Sequence, residues 1–567
     1  MACARDLPAG PAPSSPIRFS DMPRDLDADL KMLNTVLTLA QNREIERAAA
    51  IAEQALAEGF EHPLLLNVLA TRLEEQGRLE EAVRLLERAV AVSPDDVPAR
   101  NALALCLQRA DRPAEALTHV DELLRRHPEL GFAHANRGNA LIALGSLGLA
   151  RDSHLRALEL DPRNIGSMSA LASIATHRGE HAEARLWAGR TLAIVPGYPD
   201  AVLSLAAAEI DGGRHAEAEA LLRALIADPR AGDLDRGRAC GLLGDVLDAT
   251  ARYAVAFEAY QACNHSFSQV HRQLAAGSSV LDYARDLATA FAAVAPRWGR
   301  EVSAREPSAV SSRAREHVFL LGFPRSGTTL LEVVLDGHPD VVSLEEHELL
   351  TDGVLRFMRE PLDLAALNEA DEQTLTRLRA AYWSAVATAG AQVGGKVFID
   401  KHPLNTLKLP LIARLFPDAK IVFACRDPRD VVLSCFRRRF KMNAAMYQML
   451  TLEGAARFYD AVMAFGETVR PVLGLAWRQV RYEAVMADFG GEMRALCGFL
   501  GVEWSDGMGA FAQRVRQREH STPSTAQLTR GLDSSGIGHW RHYAEQLAPL
   551  QPLLGPWVDR LGAPTSH

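Results

Sequence analysis

Apolar residues in the first half of the chain recur with a period of 34. Ala48, Ala82, Ala116, Ala150, Ala184 and Ala218 share one phase, with Gly77, Gly145, Gly179 and Gly213 five residues earlier and Pro94, Pro128, Pro162 and Pro196 twelve later. That spacing predicts a stack of paired helices from about Asp27 to Asn264. Alanine lets the paired helices approach closely, glycine turns the first into the second, and proline ends the second. Each pair buries its apolar face only against its neighbours. A seventh copy, Leu243-Gly244 through Ala256 and Tyr260, arrives four residues late. Phe267–Val294 continues with helical periodicity and is expected to cap the stack. Pro296–Arg315, rich in Arg, Ser and Glu, reads as a linker.

The pattern changes at His317. In HVFLLGFPRSGTTLLEVVL, Val318–Phe323 reads as a buried strand, Pro324–Thr328 as a loop, and Thr329 onward as a helix. Short apolar runs follow before Glu345, at Lys396–Ile399 and at Lys420–Ala424, separated by helical stretches Leu350–Ala389, Leu404–Phe416 and Val431–Arg439. Such alternation predicts a mainly parallel sheet with right-handed crossovers. The expected organisation is a disordered Pro/Ala tail (1–26), an all-α repeat array with its capping helix (27–295), a linker (296–316) and an α/β domain (317–567).

Composition narrows the class. The 567 residues are 48% hydrophobic with a net charge of -9, so nothing global suggests nucleic acid or an anionic membrane surface. Seven cysteines are scattered without CxxC spacing, which argues against a disulfide framework or a zinc site. No run reaches a membrane-spanning length, and the first residues lack the apolar middle of a signal peptide. A cytoplasmic protein is expected.

Two places carry chemistry. Gly322-x4-Gly327-Thr328-Thr329 has the glycines and the hydroxyl of a phosphate loop, but Thr328 stands where its lysine would be. The open N–H groups of the following helix would still hold a phosphate, and Arg325 could supply the missing cation. The second is Lys420–Lys441, with seven Lys/Arg against two Asp. Arg426 at a strand end and Ser434 on the next helix could clasp one phosphate. Arg437, Arg438, Arg439 and Lys441 read as a solvated helix end. Glu345 and Glu346 fall at the carboxyl edge of the second strand, where ligands of parallel sheets sit. No DxD or His cluster offers a metal site.

The repeats, as in Gly145-Ser-Leu-Gly-Leu-Ala150 through Ala157-Leu-Glu-Leu-Asp-Pro162, resemble tetratricopeptide repeats, which implies a peptide or protein partner in their concave groove. PRSGTTLLEVVLDGHPDVVSLEE, DKHPLNTLKLPLIARLFPDAKIVFACRDPRDVVLS, VRYEAV and STAQL resemble the sulfotransferase family. Its tyrosylprotein branch, and bacterial proteins joining such repeats to such a domain, are the nearest. The resemblance implies 3'-phosphoadenosine 5'-phosphosulfate as donor and no metal. It places Arg325, Ser326, Gly327, Thr328 and Thr329 around the phosphosulfate, Arg426 and Ser434 on the 3'-phosphate, and Tyr482 near the adenosine. It also makes Glu346 the general base, and gives Lys401 and Ser524 the donor's bridging oxygen. His347 and His402 are neighbouring rivals to Glu346, Glu345 could hold a polar group of the acceptor, and Trp540 and Arg541 belong to a Ser/Thr/Gly-rich segment expected to close over the donor. The expected reaction moves a sulfuryl group to a hydroxyl, a peptide tyrosine being the acceptor the resemblance singles out. A carbohydrate or small-metabolite acceptor and an inactive nucleotide-binding scaffold are the alternatives. A kinase is disfavoured by the missing loop lysine and magnesium carboxylates.

Overall fold

The computed structural model describes residues 26–275, 279–298, 314–517, 528 and 531–562. The expected N-terminal tail, most of the expected linker and Ser524 lie outside them. The chain divides into two compact units, Met1–Ala170 and Leu171–His567.

Among the described residues, helices pair as seven hairpins from Leu26–Gln41 with Ile45–Ala57 to Asp233–Ala249 with Tyr253–Val270. The alanines of the 34-residue phase have no exposed surface, nor does Ala256 of the late copy. This is the steric role their spacing predicts. The turn between the paired helices needs a left-handed residue, and Gly77, Gly145, Gly179 and Gly213 supply it with φ of 72–78°. The equivalent positions in other copies are Arg43, Asp111 and Ala251, with φ of 62°, 58° and 58°.

In the second unit, five parallel strands, β1 Glu316–Gly322, β2 Val341–Glu345, β3 Val397–Lys401, β4 Lys420–Cys425 and β5 Ala476–Arg481, lie in the order β2-β3-β1-β4-β5. The first four are those the apolar runs predict. β5, with two arginines in six residues, lacks an apolar run and is not anticipated. Alternation divides the buried side chains between two layers: Phe319, Leu321, Phe398, Ile421 and Phe423 in one, and Val318, Leu320, Ile399 and Val422 in the other. The helix Val280–Val294 buries Ala284, Leu287 and Phe291 in the first of these layers, so its apolar face joins the core of the sheet.

The crossover from β1 leads to β2 on one side of the sheet, and that from β4 leads to β5 on the other. Parallel sheets bind ligands in the crevice at such a reversal, outside the carboxyl ends of the strands. Among the described residues no helix is long and apolar enough to cross a membrane.

Candidate functional site

β1 ends at Gly322, and the helix Thr328–Leu335 starts after a loop in which Arg325 (φ 71°) and Gly327 (φ 101°) take left-handed conformations. Gly327 is the helix N-cap and contributes no side-chain cap, so the first-turn N–H groups remain open toward the crevice. A side chain at position 327 would also strike the Tyr482 ring, 2.8 Å from the place of its Cβ. The loop is therefore shaped for close approach by a ligand with acceptor oxygens.

β4 supplies the opposite wall. Arg426 follows its last residue, and Ser434 lies on the helix Pro428–Arg437. Arg325 donates Nε to Ser434 Oγ at 3.0 Å, and Arg426 Nη1 donates to the Arg325 carbonyl at 3.4 Å. The Arg426 guanidinium lies 4.7 Å over the Tyr482 ring. Arg426 also bonds the Gly536 carbonyl, while its buried Nε meets no acceptor among the described residues. Burial, reinforced by the charge of Arg438, pushes the Arg325 guanidinium down to about 9. Cations held this way in a low-dielectric crevice favour an anionic ligand.

A cavity of about 240 Å³ opens here, lined by Arg325, Gly327, Thr328, Thr329, Arg426, Ser434 and Tyr482, and also by Arg437 and Arg438. Arg437, Arg438 and Arg439 thus correct the solvated helix end expected of this run, whereas Lys441 is exposed as expected. The helix stops at Arg437 with Arg438 extended (φ -94°, ψ 140°). Arg437 reaches Asp248 at 2.7 Å and Arg439 reaches Asp245 at 2.8 Å, both on the last repeat hairpin. Residues between Gly531 and His539 form the cavity's rim. Asp430 accepts the N–H groups of Gly538 (2.7 Å) and Trp540 (2.8 Å), and Tyr482 donates its hydroxyl to the Asp533 carbonyl (3.1 Å). Trp540 does not line the cavity; the Arg429 guanidinium covers its ring at 3.8 Å. Arg541 stacks 5.3 Å from the same ring and is likewise absent from the lining.

A second constellation stands at the ends of β2 and β3. The Lys401 ammonium, with no exposed surface, lies 2.9 Å from Glu345, 3.0 Å from Glu346 and 3.3 Å from Glu332. Burial alone would drive that ammonium toward neutrality, but the three carboxylates overcome it and hold its pKa above the ordinary lysine value. Glu332 lies one turn into the phosphate-loop helix, and burial pushes its carboxyl up to about 7 against the pull of Lys401. Glu346 (φ 54°) donates its N–H to the Lys401 carbonyl at 2.7 Å and keeps 47% of its side chain exposed, so a proton acceptor remains accessible. Of the rival histidines, His347 Nδ1 lies 2.9 Å from the Glu345 carbonyl, and His402 Nε2 lies 3.2 Å from Glu348.

The structure thus gathers most of the expected donor-binding residues at one cavity. Ser326, in the same loop, is buried beside it without lining it. Glu346 and Lys401 form the neighbouring cluster and are not in the lining. Arg325, expected at the phosphosulfate, is bonded to the serine expected at the 3'-phosphate. Sequence reasoning missed Glu332, hidden in an apolar helical run, and Asp245 and Asp248, which look like ordinary polar positions of a repeat. Their register on one face of a helix, three apart, was the available signal.

Comparison with known proteins adds the following. Residues 317–506 match the family model described as the sulfotransferase family, and residues 33–96 and 73–135 match tetratricopeptide-repeat models. Protein-tyrosine sulfotransferase 2 of Gallus gallus is 26% identical over 270 residues, 43% of this chain and 68% of that protein. Protein-tyrosine sulfotransferase 1 of Danio rerio is 27% identical over 195 residues, 33% of this chain and 54% of that protein. An uncharacterised protein of Aquifex aeolicus is 24% identical over 572 aligned residues, 94% of this chain and 70% of that one.

Proposed function

From the premise that tetratricopeptide repeats here precede a sulfotransferase-family domain at residues 317–506, we propose that the protein transfers a sulfuryl group from 3'-phosphoadenosine 5'-phosphosulfate to an acceptor hydroxyl. The observation that carries this reading is the guanidinium-lined cavity at the carboxyl ends of β1 and β4, where Arg325 bonds Ser434 and Arg426 bonds the Arg325 carbonyl. When bound, the donor supplies an activated sulfuryl group on a phosphosulfate anhydride. Arg426 and Ser434 hold the 3'-phosphate, with Arg325 beside them. The open amides of the Thr328–Leu335 helix and the hydroxyls of Thr328 and Thr329 take the phosphosulfate end. Tyr482, with one face under Arg426, offers a ring beside the adenosine.

Sulfuryl transfer is an in-line displacement, so the protein's main work is positioning and charge stabilisation, as in phosphoryl transfer. The half-exposed Glu346 carboxylate accepts the acceptor's proton, and the Lys401 ammonium beneath it, with no exposed surface of its own, keeps that carboxylate fixed. The acceptor is a peptide tyrosine in this reading, a choice supported by the names of the related proteins, and the repeats bind the polypeptide that carries it.

Labelled-donor assays with a tyrosine peptide and calorimetry with adenosine 3',5'-bisphosphate test it. Glu346→Gln should retain nucleotide binding while transfer falls about 10²–10⁴-fold. Transfer that persists at the wild-type rate in that variant rejects the assignment of the base, and a folded wild type that does not bind the nucleotide rejects the donor.

A further inference from the structure

The last repeat hairpin contributes directly to the wall of the cavity. Asp245 and Asp248, one turn apart on the helix Asp233–Ala249, line it together with Arg325, Arg426 and Arg438. Each carboxylate is saturated by a different set of donors. Asp248 receives Arg437 (2.7 Å), His539 Nε2 (2.9 Å) and the Tyr543 hydroxyl. Asp245 receives Arg439 (2.8 Å) and the Tyr260 hydroxyl (2.9 Å). Burial opposes ionisation of Asp245, but the three arginines at 437–439 outweigh it and keep the carboxyl below its ordinary pKa.

These contacts treat the tripeptide Arg437-Arg438-Arg439 unequally. The outer two arginines are tied to the repeat, and Arg437 is further held between the Tyr260 and Tyr543 rings at 5.1 and 5.9 Å. The middle one, in extended backbone, lines the cavity and has no carboxylate within ion-pair distance among the described residues. Ties on both neighbours fix the backbone of the residue between them, and Arg438 shares one wall of the cavity with Arg437 and both aspartates. We infer that Asp245 and Asp248 of the last repeat are positioning residues for the donor site: they pin Arg437 and Arg439, and thereby aim Arg438 at the anionic nucleotide. This rests on the nucleotide reading of the cavity.

The sign of the effect separates this role from simple electrostatics. Removing a negative charge from the wall of an anion site should tighten anion binding by Coulomb attraction, whereas removing a pin should weaken it. Calorimetry on the full chain would compare wild type, Asp245→Asn, Asp248→Asn, Arg438→Ala and Asp245→Asn/Arg438→Ala, with adenosine 3',5'-bisphosphate as probe and inorganic pyrophosphate as a second. Each Asn variant is expected to bind about tenfold more weakly, and the double variant no more weakly than Arg438→Ala alone. Tyr260→Phe and Tyr543→Phe, which remove one donor from each aspartate without changing its charge, should shift binding in the same direction by less, and they decide the matter if an Asn variant loses its cooperative melt. Equal or tighter binding in these variants overturns the inference. A wild type that binds pyrophosphate but not the nucleotide rejects the nucleotide reading and leaves the pins to be judged by the pyrophosphate series; one that binds neither rejects both.

Discussion

An ammonium with no exposed surface and three carboxylates within 3.3 Å has one comfortable protonation state, and the excess negative charge must be relieved elsewhere. Burial decides that the relief falls on Glu332: it pushes that carboxyl up to about 7, with the charge of Glu345 adding to it and Lys401 opposing it. A carboxyl whose folded pKa is raised contributes stability below its unfolded value and loses it as the pH climbs through the folded value. Wild type should therefore lose on the order of 2 kcal/mol relative to Glu332→Gln between about pH 4.5 and pH 7, and paired thermal melts across that range measure it. Glu346 and Lys401 were legible as chemistry because strand ends and charged residues coincide there. Glu332 was not, because a single carboxylate within TTLLEVVL looks like the outer face of a helix until its partner Lys401, 69 residues on, is seen beneath it.

At the scale of elements, the hairpin turns show how a period can be read and still hide strain. Position 251 repeats the geometry of Gly213 with an alanine at φ 58°, a conformation that costs an L-residue about 1–2 kcal/mol. Glycine there would relieve that cost while giving back part of it as unfolded-state entropy. Ala251→Gly is expected to stabilise the second unit by roughly 0.5–1 kcal/mol, visible as a higher melting temperature. The helices and the first four strands followed from period and apolar runs. β5 did not, because a strand at the sheet's edge buries little and its arginines masked it. The arginine run after Ser434 was misjudged for a related reason. Helical periodicity alone could not tell that the helix stops at Arg437, and only the termination turns its last arginines from solvent toward the cavity and the aspartates of the repeat.

For the whole molecule, the compact division at Ala170 rather than near His317 carries a practical consequence. Phe436 is 3% exposed within a cluster of Leu243, Val246, Ala256 and Tyr260, and Asn264 donates to its carbonyl at 2.9 Å. A fragment beginning at Asn164, the turn before the helix Ile165–His177, is expected to melt cooperatively and to be stabilised by adenosine 3',5'-bisphosphate in a thermal-shift assay. One beginning at His317 would uncover that cluster and the buried face of Val280–Val294, and should aggregate or lose its cooperative transition. The cavity itself draws on Asp245, Arg325, Arg426 and His539. During synthesis these walls leave the ribosome far apart in time, and domains emerge and fold in sequence order. The anion pocket therefore closes only after almost the entire chain has been made, and a nascent or prematurely ended polypeptide would carry finished repeats only up to about Ala170, with no capacity to capture the nucleotide.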